Sequence, residues 1–263
     1  MNTTAASAAS PLAAVSPRDR IVIVGCILAI AALAWAYLVR LGAGMAPMAM
    51  PGSAMPMEMP GASSFPYLFG MWSVMMIGMM AGPAAPMLLL FAAAHARRQR
   101  GRLPLPLLTF ASGYALVWIA FSAGAALAQW ALHRGAMLSL EMAAATPWLG
   151  GTVLVASGVY QLTPLKRACL DQCRGPLGFL MTHWRNGALG ALQMGLRHGA
   201  YCVGCCWALM LVLFAVGVMN LLWVAALMLF VLLEKVGPGG IVVARVAGVA
   251  MVVAGIAVMA GLA

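Results

Sequence analysis

Charge is what this sequence has least of. Only 5 of its 263 residues are acidic, and charged residues of either sign make up 8%. Soluble domains carry roughly 25%. So little charge beside 64% hydrophobic residues excludes a single soluble globule, which could not hide that much apolar surface. The shortage of carboxylates leaves no paired acids for acid–base work, and no nucleophile triad emerges. No phosphate-binding glycine loop is present either, so nothing points to an ATP-driven pump. The net charge of +10 has no aromatic-interleaved basic patch behind it, which excludes nucleic acid as a partner.

What is present is hydrophobic runs. Several reach about 20 apolar residues, the length needed to cross a bilayer core. The fold class read from them is all-α, a polytopic transmembrane helical bundle of about seven spans. Residues 1–17 read as a disordered tail. The first helix, 18–41, carries the apolar run Ile21 to Leu41 and reads as a retained anchor rather than a cleaved signal. An external Met-rich loop, 42–66, separates it from a six-helix membrane domain over 67–263. The further spans are Tyr67 to Ala93, Leu105 to Leu132, Trp148 to Leu165, Gly199 to Val218, Leu221 to Val236 and Ile241 to Leu262. A cytoplasmic loop over 166–198 carries cysteines, with a short interfacial or re-entrant helix expected at Gly187 to Leu196.

Basic residues set the orientation. "RRQRGR" after the second span and Lys166, Arg167, Arg174, Arg185 and Arg197 after the fourth fall on one side, with Arg18, Arg20 and Lys235. Arg40 and Arg134 fall on the other. This bias predicts a cytoplasmic N-terminus and an external C-terminus, in a bacterial inner (plasma) membrane. The lipid bilayer is then the first partner.

Two regions have the chemistry of soft-metal ligands. "GMAPMAMPGSAMPMEMPG" places Met45, Met48, Met50, Met55, Met57 and Met59 in a proline-broken external segment. Thioethers select Cu(I) and need no deprotonation. The competing reading is biased composition, since the whole chain has 22 Met. In the second span Met71, Met75 and Met79, with Met76 and Met80, recur at four-residue spacing and form adjacent stripes on a helix. These suit either a relay or flexible packing.

The cysteines are the sharper signal. Cys169 and Cys173 lie in "KRACLDQCRGP", and Cys202, Cys205 and Cys206 in "YCVGCCWALM". On the predicted topology both groups are cytoplasmic, where thiols stay reduced. A C-x3-C pair followed by C-x2-C-C can supply a four-thiolate site, with His198 one turn earlier as a further ligand. Placing Cys202 in the first turns of a helix predicts that the helix N-terminus favours thiolate. Copper is the favoured ion and zinc the alternative, with room for a metal-delivery protein as partner. Cys26 reads as packing. Glu234 and Lys235 read as an ordinary interfacial charge pair, and Asn220 as part of the turn between spans five and six. Gln129 and Gln161 read as helix-to-helix hydrogen bonders.

Five strings together carry a family resemblance: "WSVMMIGMMAGPAAP", "GVYQLTPLKRACLDQCRGP", "GAYCVGCCWALM", "GVMNLLW" and "EKVGPGG". From about Pro66 to Ala263 the chain resembles a bacterial domain-of-unknown-function family, 2182, described as predicted metal-binding integral membrane proteins. The resemblance implies membrane location and a metal site on Cys169, Cys173, Cys202, Cys205 and Cys206.

Three functions fit these readings. One is binding, transport or delivery of a soft metal, Cu(I) foremost, through Met and Cys. Another is a membrane thiol–disulfide carrier, for which "CVGC" has the spacing. The third is a membrane scaffold held by structural zinc.

Overall fold

The structure, a computed structural model, describes residues 15–45, 64–98, 103–135, 137 and 146–262. These are all-helical: α1 (Pro17–Met45), α2 (Phe65–Arg98), α3 (Pro104–Arg134), α4 (Pro147–Leu162), α5 (Pro164–Arg174), α6 (Pro176–His183), α7 (Gly187–Leu211), α8 (Leu213–Val216), α9 (Leu221–Val236) and α10 (Gly240–Met259). Five segments are long and apolar enough to cross a membrane: Pro17–Ala43, Phe65–Arg98, Pro104–Arg134, Gly187–Val216 and Gly240–Met259. The helices α4 and α9 have 16 residues each. At about 1.5 Å rise per residue they reach about 24 Å, short of the ~30 Å hydrocarbon core.

The stretch expected to be a loop, 166–198, is almost wholly helical. Pro164 and Pro176 open α5 and α6, where a missing N–H costs nothing. Thr163 closes α4 and caps α5, its hydroxyl accepting from the Lys166 N–H at 3.3 Å. The separate helix expected at Gly187 to Leu196 is instead the start of α7, which runs on unbroken to Leu211.

Helix directions follow from paired contacts. Trp72 donates to Gln129 at 2.6 Å while Phe91 stacks on Phe110, so α2 and α3 are antiparallel. The glycines Gly195 and Gly199 of α7 lie against Phe110 and Tyr114 of α3, which makes those two parallel. Ser157 donates to the Ala208 carbonyl and Tyr160 to that of Gly204, so α4 runs against α7. Glycines bring α4 and α10 together backbone to backbone. A Cβ at Gly158 would lie 2.6 Å from the Gly248 carbonyl oxygen, and one at Gly151 would lie 2.7 Å from that of Gly255. These sequence sums match, so α4 and α10 are antiparallel. Asn220 caps α9 by accepting from the Trp223 N–H, in the turn where the sequence places it. The preceding Gly217 takes φ 98°, a backbone that side chains oppose.

The core centres on α2. Met71, Met75, Met76, Met79 and Met80 are all buried and belong to one apolar cluster with Cys202, Cys205, Cys206 and Met210. The methionine stripe therefore faces the bundle interior. Cys26, read from the sequence as packing, is instead exposed on α1.

Candidate metal centre

The turn at Thr163–Pro164 lays α5 beside α7. Spacing of four places Cys169 and Cys173 on the face of α5 that meets it. On α7, Cys202, Cys205 and Cys206 share one face and are all buried. The two groups do meet. Cys173 Sγ and Cys205 Sγ are 4.0 Å apart. The Cys169 sulfur sits over Gly204, where a Cβ would come within 2.8 Å of it. Glycine is thus what lets α5 approach α7 here.

The Cys205 and Cys206 thiols each donate to the Cys202 carbonyl, at 3.1 and 3.0 Å. Cys202 has further partners of its own. Its sulfur receives the Lys235 ammonium at 2.9 Å and lies 3.0 Å from the Tyr114 hydroxyl. Lys235 Nζ also reaches Met80 Sδ at 4.0 Å, and the Tyr114 hydroxyl donates to the Met80 carbonyl. The Met80 end of the methionine stripe is therefore linked to Cys202 by Lys235 and Tyr114, each of which contacts both residues.

Hydrogen bonding to Cys202 and Cys205, and then burial, holds the Cys173 thiol well above the ordinary thiol pKa. Burial and then the nearby Cys205 raise that of Cys169. Both would give up protons on taking a metal.

Several expectations change. Cys202 lies fifteen residues past Gly187, the first residue of α7, about 22 Å along the axis. The helix N-terminus is too far away to favour thiolate, because that effect fades within a turn. The positive charge comes from Lys235 instead. Glu234 and Lys235 are not a pair at all. The Glu234 carboxylate binds Lys166 at 2.8 and 2.9 Å, both side chains 1% exposed, and its carbonyl accepts from Arg174. That leaves Lys235 turned inward to the thiols.

Four thiolates are not gathered into one tetrahedral set. Among the described residues, no three His, Cys, Asp or Glu side chains are arranged to hold an ion together. His198 lies one turn before Cys202 and is buried among Phe110, Tyr114 and Phe179, its Nδ1 unpartnered. Gln129 has the expected helix-to-helix bond, to Trp72, but neither side-chain atom of Gln161 finds a partner. Met45 ends α1, while Met48, Met50, Met55, Met57 and Met59 lie outside the described residues.

Sequence reasoning passed over Lys235, Tyr114 and Gly204. A lysine in the last turn of an apolar helix was the available signal for the first of these, but its neighbour Glu234 offered it a partner in the sequence.

A model of the copper chaperone family PpoB2 matches residues 69–258. The chain belongs to this copper chaperone family. The match covers α3 to α9 entirely and nearly all of α2 and α10, and so includes every cysteine of the cluster. It lies within the stretch that carried the sequence resemblance and specifies copper, where that resemblance implied only a metal. No curated protein and no solved structure matches the chain. A copper-related function in an all-helical protein with several membrane-length helices is established on this footing.

Proposed function

We propose that this protein is an integral membrane carrier whose cargo is Cu(I), held by the thiols of Cys173, Cys202 and Cys205 with Cys169, Cys206 and Met80 around them. The observation that carries this reading is Lys235. Its ammonium is buried, its neighbouring carboxylate is already bound to Lys166, and the atom it meets is the Cys202 sulfur. A buried cation needs an anion. Cu(I) on two thiolates, with the third sulfur a neutral thiol or the Met80 thioether, carries a charge of minus one, which Lys235 neutralises.

Geometry supports a small soft ion. Two sulfurs 4.0 Å apart, each bonded at about 2.3 Å, subtend an angle of about 120° at the ion. That suits a three-coordinate soft metal completed by Cys202 or Met80 after a small side-chain movement. Structural zinc asks for four ligands in a closed tetrahedron, so the zinc scaffold is less favoured. In this reading His198 is a neighbour of the site rather than a ligand. The buried stripe Met71, Met75, Met76, Met79 and Met80 is the route to the thiols, and Met45, Met48, Met50, Met55, Met57 and Met59 capture copper outside. Seven crossings of a bacterial inner membrane, N-terminus cytoplasmic, follow the charge bias, with the bilayer thinning locally around the 16-residue α4 and α9. The antiparallel and parallel pairings of the described helices are compatible with that alternation. Cargo would pass to a metal-delivery protein.

A thiol–disulfide carrier is the second reading, favoured by the Cys173–Cys205 approach. One experiment separates them. The purified full chain is loaded with Cu(I) and Zn(II) under reducing conditions and its metal content measured by mass spectrometry. The comparison is with Cys173→Ser, Cys205→Ser and their combination with Cys202→Ser. Copper bound by the native chain and lost stepwise in the variants is expected. Zinc alone would overturn the copper reading. No metal, with a mixed disulfide trapped by Cys173→Ser once the reductant is removed and a disulfide-bonded partner is offered, would favour the redox one.

A further inference from the structure

A cleft of about 160 Å³ opens where the α4–α5 corner meets α10, with Lys166 among its lining residues. Its walls include Gln161, Thr163, Arg167, Leu170 and Arg245. No carboxylate lines it. Among the described residues the ion pair is Lys166 with Glu234, so Arg167 and Arg245 face the cleft without an acidic partner. The Gln161 side chain is 4% exposed, and neither its oxygen nor its nitrogen has a hydrogen-bond partner. A buried amide left unpartnered carries a cost on the order of 1–3 kcal/mol per group unless something polar enters the cleft.

The surroundings say what enters. Arg245 stands on a helix whose outward residues are Val242, Val246, Val249, Val253 and Ile256, all more than half exposed. On the α4–α5 side, Leu162 and Leu165 are also exposed. This apolar collar is a lipid-facing surface, and two guanidiniums set into it need an anion that comes with hydrocarbon attached. The volume is below the ~300 Å³ of ordinary small-metabolite sites. It suits a single phosphate with its ester oxygens.

We infer that this cleft binds the phosphate of an anionic phospholipid. Arg167 and Arg245 clamp its oxygens, the Gln161 amide donates to it, and an acyl chain lies along the valine face of α10. Basic pockets between membrane helices are used in this way by lipid headgroups. The inference does not depend on the copper reading, because none of these groups touches a cysteine sulfur.

The test uses the full chain, purified in mild detergent and placed in nanodiscs of phosphatidylglycerol and phosphatidylcholine. Lipid that stays bound through a phosphatidylcholine wash is counted by native mass spectrometry. The native chain should retain phosphatidylglycerol selectively. Arg167→Gln and Arg245→Gln should each lower retention by roughly fivefold, the order that one cation supplies at an anionic headgroup. The Lys replacements should keep it, and Arg134→Gln, distant on α3, should leave it unchanged. Equal retention of the two lipids would overturn the inference, as would a double Gln variant that binds like the native chain while keeping its helical signal. Displacement of all bound lipid by inorganic phosphate, with phosphate then retained in an arginine-dependent way, would show a free anion as the occupant.

Discussion

Lys235 and Glu234 are neighbours in the chain and strangers in the fold. Reading them as one pair was natural in sequence, where adjacency is visible and direction is not. Successive residues on a helix point about 100° apart, so one faces α5 and the other faces the thiols. Replacing Lys235 by Met should weaken Cu(I) binding by about tenfold to a hundredfold, matching a charge-assisted hydrogen bond of about 1.5–3 kcal/mol. Competition titration against a Cu(I) chelator measures this, and circular dichroism checks that the helices persist. The Lys166–Glu234 pair should behave differently. Lys166→Met or Glu234→Gln alone leaves a buried group unmatched and should cost about 3–5 kcal/mol, seen as a lower Tm in detergent. Lys166→Met combined with Glu234→Met should recover most of that loss. A double variant as unstable as the singles would show that the pair does more than neutralise charge.

Among elements, the long spans were legible and the middle of the chain was not. Apolar runs of membrane length announce themselves by composition, and α1, α2, α3 and α10 lie close to where those runs fall. Gly187 to Leu196 read as a short separate helix inside a loop because the stretch from Gly187 to His198 mixes glycine, arginine and histidine. Burial explains its helicity: Gly195 and Gly199 let α7 lie directly on the backbone of α3, and a residue small enough for contact reads in sequence as a breaker. The cysteines' residue numbers were evident from the start. Their depth was not, because depth depends on where α7 begins. The α4–α10 contact obeys the same small-residue logic. Gly158→Val should put methyl groups into the Gly248 backbone, which cannot yield as a side chain does. A loss of about 1–3 kcal/mol is expected, measured as a fall in Tm. Gly25→Ala serves as the control, since a Cβ there meets nothing within 4 Å.

For the whole molecule, the sequence placed two sulfur-rich regions apart along the chain, and the buried stripe of α2 runs toward one of them. Whether the Met-rich segment feeds that stripe is a question for cells rather than for purified protein. Deleting residues 46–59 should leave copper content after loading in detergent unchanged, because the thiols remain. Copper acquired by cells expressing the protein at limiting supply should drop severalfold. Equal acquisition would remove the capture role and leave the thiol site standing. Orientation is checked by adding single cysteines to a Cys26→Ser background near each end and labelling them from outside with an impermeant maleimide. The N-terminal tail should stay unlabelled and the C-terminal end should label.

The last turn of α9 holds two fixtures at once. Because Glu234 and Lys235 are consecutive, α9 cannot turn about its axis to withdraw the ammonium from Cys202 without also dragging the carboxylate from Lys166, and its Glu234 carbonyl from Arg174. Those last two contacts tie α5, with Cys169 and Cys173 on it, to α9. A turn of α9 would therefore part the ammonium from the Cys202 thiol and loosen α5, the helix that bears Cys173, in the same stroke.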